Sequence, residues 1–336
     1  MSNPLKTLFK KPTPTQVEPI NTAFKSKSRY AMIGSIGCGK TTVSTLLVLT
    51  SQTLSSLLPN FSCCTLPGST NIIDYVSKMR AGHFPPKTDA SNVLRHEDVL
   101  LLRYGKTTRF SNARQLNVPI CDLAGEKLQT MIQSIQHRLR DPTSQESYNI
   151  SSSLINYVRD CEGYIPIASA ARAMAFRDGM QLEKETEDEQ LSGISVDPDA
   201  NLYKFMQDIM TYKENSKGKP IKAIAVVVTK WDMLMPYAQE MGIDLDDTTG
   251  QGIQTFMETF FPQTTSLLKF EQQRNPNMQL RFFPSYVKIQ KNTLTNKSEQ
   301  WPDGSSKIEM EPNLRIPKYW AQSYVDLINY LGTFAS

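Results

Sequence analysis

The segment Gly34-Ser35-Ile36-Gly37-Cys38-Gly39-Lys40-Thr41 constrains the fold of this chain more than any other. It follows the apolar run Arg29 to Ile33 and precedes a helical pattern from Thr41 to Leu58 that Pro59 closes, so the order reads strand, glycine-rich loop, helix. In that context the full G-x-x-x-x-G-K-[ST] pattern is a phosphate-binding loop. Glycines let backbone N–H groups wrap the phosphates, and the helix start adds partial positive charge. Lys40 then bridges the outer phosphates and the Thr41 hydroxyl ligates Mg²⁺. Gly34 through Thr42 are therefore the expected phosphate-side residues.

Strand and helix patterns alternate along the rest of the chain. Strands are expected at Val99 to Leu102, Leu116 to Cys121, Gly163 to Ala168, Ala223 to Val228 and Leu280 to Phe283. Helical spacing runs through Ile72, Val76 and Met79, through Leu128 to Leu139, through Ile150 to Val158 and from Leu202 to Tyr212. A terminal helix is expected to open at Pro317 and close at Gly332. This alternation indicates an α/β fold, a mostly parallel central sheet with helices on both faces, whose ligands bind at the carboxyl ends of the strands.

Two further motifs fall at such ends. Asp122-Leu123-Ala124-Gly125 closes the strand Leu116 to Cys121, where a carboxylate can reach the same Mg²⁺ through water and Gly125 offers an N–H to a terminal phosphate. Asn117 and Pro119 are unexpected inside a central strand. Thr229-Lys230-Trp231-Asp232 closes the buried strand Ala223 to Val228. An aspartate there accepts hydrogen bonds from the guanine N1–H and N2–H₂, a donor pair that adenine lacks, while the lysine stem packs over the base.

With these three motifs in order, the chain resembles the translation-factor-related, Ras-like class of P-loop GTPases. The resemblance extends over roughly residues 28 to 336. It implies one GTPase-like domain, 27–336, elaborated by insertions near 60–86, 127–160, 174–200, 240–275 and 290–312, after a flexible tail at 1–26. It also implies a serine loop whose backbone touches guanine, best matched by Ser285-Tyr286-Val287, and a switch threonine over Mg²⁺ and the γ-phosphate. Thr88 has the right place for the latter; Thr107 and Thr108 follow the strand Val99 to Leu102 in what reads as a hairpin. Glu126 stands where relatives often carry a water-orienting glutamine, and Ile36 where some keep glycine. The class often adds an arginine in cis or from a partner; Arg103, Arg109 and Arg172 are available and the sequence selects none of them.

The resemblance thus implies a GTP- and GDP-binding switch that uses Mg²⁺, turns over slowly and meets a protein effector or activator of unknown identity. Two other readings stand beside it: an interaction module that holds nucleotide without turnover, and an ATP-driven motor. Composition narrows the setting. A net charge of +4 from scattered Lys and Arg does not imply a nucleic-acid partner, and an apolar stretch of about 18 to 20 residues for a membrane span is absent. Leu5, Leu8 and Phe9 beside Lys6, Lys10 and Lys11 offer at most a weak membrane-surface or partner contact; a solvated terminus is the expectation. The odd set Cys38, Cys63, Cys64, Cys121 and Cys161 suggests neither a disulfide framework nor a zinc site, so a cytoplasmic setting is expected.

Overall fold

A computed structural model describes residues 29–35, 37–58, 61–65, 71–85, 99–104, 116–122, 152–179, 197–245, 250–295, 297–312 and 314–334. Seven strands form one sheet: β1 (Tyr30–Ile33), β2 (Phe61–Thr65), β3 (Val99–Tyr104), β4 (Leu116–Asp122), β5 (Gly163–Ser169), β6 (Ala223–Thr229) and β7 (Gln279–Pro284). Their order is β2-β3-β4-β1-β5-β6-β7. The neighbours from β4 to β7 all pair parallel, whereas β2 with β3 and β3 with β4 pair antiparallel. The chain is therefore an α/β protein with a mostly parallel sheet.

Alternation along each strand sends side chains to two apolar layers. Ala31 and Ile33 of β1, with Ile224, Val226 and Val228 of β6, face one layer. It is completed from α3 (Ser152–Arg159), α4 (Ala170–Arg177), α5 (Pro198–Asn215), α6 (Gln251–Phe260) and α7 (Pro262–Arg274). Tyr30 and Met32, with Ala223, Ala225 and Val227, face the other, built from α1 (Lys40–Thr53), α2 (Asn71–Arg80) and α8 (Ala321–Thr333). The small residues on that face of β6 let α8 lie close to the sheet. Tyrosine hydroxyls tie it down: Tyr30 donates to Leu331 O at 3.2 Å, Tyr104 to Ile328 O at 2.7 Å and Tyr330 to Gln279 O at 2.7 Å.

Asp199, buried in the first turn of α5, accepts from the backbone N–H groups of Gln263 and Thr264, both at 2.9 Å. One carboxylate thereby caps a helix 64 residues away, satisfying donors that the first turn of α7 leaves open.

Several expectations need correction. The terminal helix begins at Ala321 and not at Pro317, because Pro317 and Tyr319 pair in short bridges with Met310 and Val287. Gly332 does not close α8 but lies inside it, where a Cβ would come within 2.6 Å of the Tyr104 ring. Pro119 is tolerated because pairing of β4 with β1 begins at Ile120, so Asn117 and Pro119 face only β3. Strand β2 and helices α4, α6 and α7 were not expected from the sequence. The helical stripe Leu128 to Leu139 and the segment 1–26 lie outside the described residues. Among the described residues, no helix is long and apolar enough to cross a membrane.

Candidate functional site

Strand β1 ends at Ile33 and the chain turns through Gly34 to Gly39 into α1. Gly37 and Gly39 adopt φ of 69° and 100°, a region that L side chains avoid. A Cβ on Gly34 would lie 2.9 Å from Ile167 O, so the loop rests directly on β5. Lys40, 5% exposed, folds back over the loop and donates through Nζ to Gly34 O at 2.7 Å and Ser35 O at 2.8 Å. Gly39 caps α1 with no side-chain acceptor. The first turn of a helix whose cap has no side chain, beside a buried ammonium, is a donor set suited to phosphate oxygens. Thr41 and Thr42 follow in that turn and are half-buried.

The Thr229–Asp232 turn is joined to this loop. Thr229 Oγ1 lies 2.6 Å from Cys38 O and 3.1 Å from Ala168 O, with one proton to donate between them. Gly39 permits the approach, since a Cβ there would meet Thr229 Cγ2 at 3.3 Å. After Thr229 the backbone takes the left-handed conformation at Lys230, φ 56°, and enters a short 3-10 turn, Trp231–Leu234, that carries Asp232. A non-glycine residue held there stores roughly 1–2 kcal/mol, which the surroundings must offset. Trp231 does so: it is buried, its Nε1 donates to Leu245 O at 3.2 Å, and its ring meets Phe256 edge-on at 5.5 Å.

Ser285 completes this corner. Its N–H donates to Val228 O at 2.8 Å, its carbonyl accepts from Trp231 N at 3.1 Å, and its hydroxyl is 2.6 Å from Tyr324 OH. Tyr286 follows, half-buried, with its ring 5.9 Å from that of Trp320. Burial pushes the Asp232 carboxyl above its ordinary range, opposed by a backbone hydrogen bond and by the charges of Lys288, Lys291 and Lys230.

Gly34, Ser35, Gly37, Cys38, Gly39, Lys40, Thr41, Thr42, Thr229, Lys230, Asp232, Ser285 and Tyr286 thus gather at the loop ends that follow β1, β6 and β7. Asp122 ends β4 in register with Met32, two residues before the phosphate loop begins. Ile36, Thr88, Gly125 and Glu126 lie outside the described residues. Of the three arginines among which the sequence did not choose, one joins the loop. Arg172 in the first turn of α4 is 6% exposed, and its Nη1 is 3.3 Å from Ser35 Oγ. Its position just beyond the carboxyl end of β5 was the available signal.

No protein-family description matches the sequence, and no curated protein matches it. Among solved structures, the chain is similar to one in the complex of the signal recognition particle receptor SRb-GTP with SRX from Chaetomium thermophilum. The identity is 14%, the match covers 78% of this chain and 91% of that one, and the TM-score is 0.35.

Proposed function

We propose that this chain is a cytoplasmic protein that binds GTP and GDP together with Mg²⁺, hydrolyses GTP slowly and acts as a nucleotide-controlled switch of the P-loop GTPase kind. The observation that carries this reading is the bond from Thr229 Oγ1 to Cys38 O. It fastens the turn bearing Asp232 to the loop bearing Lys40, which supports reading the two as one site, a base reader beside a phosphate cradle. Asp232 supplies two acceptor oxygens for the guanine N1–H and N2–H₂. Lys40 and the loop N–H groups supply donors to the phosphates.

Thr41 and Asp122, with Thr88, are the residues that would hold Mg²⁺; when bound, the ion neutralises charge on the phosphates. In this reading Thr88 and Gly125 sense the γ-phosphate and Glu126 orients water. A carboxylate near a γ-phosphate also adds repulsion, and Glu126 therefore favours a second reading, in which nucleotide is held without turnover. The effector or activator of such a switch is a protein still to be identified.

Competition between GTP and ATP for the purified protein, with and without a Mg²⁺ chelator, tests the reading. GTP should win, and chelation should weaken it. A preference for ATP would instead favour a motor, and indifference to chelation would remove the metal role. Phosphate release over many turnovers separates the switch from the non-hydrolysing module.

A further inference from the structure

We propose that Tyr324 is a positioning residue for guanine recognition, whose hydroxyl holds Ser285 and, through it, the turn that carries Asp232. The inference rests on the guanine-binding reading above and adds to it the group that fixes the aim of Asp232.

The linkage is built from three bonds on one residue. Ser285 follows the end of β7, and its N–H donates to Val228 O of β6 at 2.8 Å. Its carbonyl accepts from Trp231 N at 3.1 Å, between the left-handed Lys230 and Asp232. Its hydroxyl lies 2.6 Å from the Tyr324 hydroxyl on α8. Sheet, turn and helix therefore meet at Ser285, and Tyr324 supplies the one anchor of the three that a side-chain substitution removes. Tyr324 is in turn fixed from α1, the helix that begins at Lys40. Its ring meets that of Tyr319 steeply tilted at 5.7 Å, and the Tyr319 hydroxyl lies 2.9 Å from Thr50 Oγ1 on α1. Tyr319 also bridges Val287, two residues beyond Ser285. The Asp232 turn thus leans on α1 by a second route besides the Thr229 bond.

Burial makes the Tyr324 bond consequential. Ser285 and Tyr324 are both buried, and burial pushes the Tyr324 phenol well above its ordinary range, so the hydroxyl keeps its proton. A buried hydroxyl stripped of its partner costs more than the bond itself contributes. Without the Tyr324 hydroxyl, Ser285 relieves that cost by shifting, and its carbonyl carries Trp231 N with it. The turn is sensitive to such a shift, because a non-glycine residue at φ 56° keeps its conformation through its surroundings. A ring that merely filled the layer between α1 and α8 would serve equally well as phenylalanine, and guanine selection would not depend on its hydroxyl.

The test is a titration of the full chain with GDP, IDP and ADP. Inosine lacks the guanine 2-amino group, so the GDP-to-IDP affinity ratio reads the bond that Asp232 makes there. Wild type is compared with Tyr324→Phe, Ser285→Ala and the double variant, and each protein's melting temperature is recorded without nucleotide. In Tyr324→Phe the ratio should fall about fivefold, the equivalent of one net hydrogen bond. Ser285→Ala removes the same bond from its other end and should match; it also supplies the measurement if Tyr324→Phe does not fold. The double variant should fall no further than either single one. A lowered melting temperature with an unchanged ratio, or equal weakening of GDP and IDP, overturns the proposal in favour of a bracing role. Losses that add in the double variant overturn the route through Ser285. A wild type that does not favour GDP over IDP and ADP overturns the guanine reading and this proposal with it; a wild type that does, beside variants that keep its ratio, overturns this proposal alone.

Discussion

At the scale of single residues, Asp232 carries the sharpest consequence, because its role depends on donor and acceptor polarity. In Asp232→Asn an amide N–H₂ would face the guanine N2–H₂ and one bond would be lost. Xanthine has a carbonyl there, which the new amide can donate to. Preference should therefore swing from GTP toward XTP by a few kcal/mol, since an unpaired buried polar group costs roughly 1 to 3. Affinities for GTP, XTP and ATP check this, and a folded variant with unchanged GTP preference would contradict it. The same carboxyl sets a pH limit. Burial raises its pKa, so the native protein holds that proton more tightly than the unfolded chain, and ionisation removes stability as pH rises through the interval between the two values. Guanine binding runs the other way, because it needs the carboxylate. GTP affinity should fall on acidification from a point above the ordinary aspartate value of about 3.9, and titrations of Asp232→Asn should lack that limb.

At the scale of elements, Asp199 offers a test of how helices hold one another. Its two oxygens satisfy two backbone donors of α7 from a position on α5. Asp199→Ala should destabilise the protein by about 1–3 kcal/mol and Asp199→Asn by less, measured as the shift in denaturant midpoint. Equal midpoints would mean that water replaces the cap. The contrast with the motifs explains what was legible in the sequence. Strands β1, β3, β5 and β6 are largely apolar runs ending in turn residues, and the phosphate loop and the Thr229–Asp232 turn are contiguous, so local pattern was sufficient for these. Helix α4 was missed because its sequence, AARAMAFR, shows little apolar periodicity; the Ser169 cap was its clearest mark. The start of α8 was misplaced because Pro317 serves a bridge to Met310, a partner that local spacing cannot reveal. Arg172 meets Ser35 across 137 residues of chain, which no motif encodes.

At the scale of the whole molecule, one sheet separates two apolar layers, and the candidate site lies where its strands leave both of them. The segment 286–319 adds a second link. From Tyr286 beside the Asp232 turn it returns through the Ile289 to Ile308 bridge, meets the end of α2 through the His83 to Lys307 bridge, and stacks Trp301 on His83 at 4.0 Å. Both layers cover the strands that frame the candidate site, and loss of either layer strips apolar cover from the sheet. Unfolding of the described elements should accordingly be a single cooperative transition that nucleotide shifts as a unit. At a ligand concentration of 100 times Kd the stabilisation is about 2.7 kcal/mol, a rise on the order of 5 °C for a domain of this size. Lys40→Ala should abolish the shift, because it removes the ammonium that bridges the outer phosphates, while leaving the nucleotide-free transition cooperative. Calorimetry with and without GTP and Mg²⁺ checks both halves. Two separated transitions, only one of them moved by GTP, would mean that the layers fold independently. An equal shift in Lys40→Ala would mean that the stabilising ligand sits elsewhere than the loop Gly34 to Thr41.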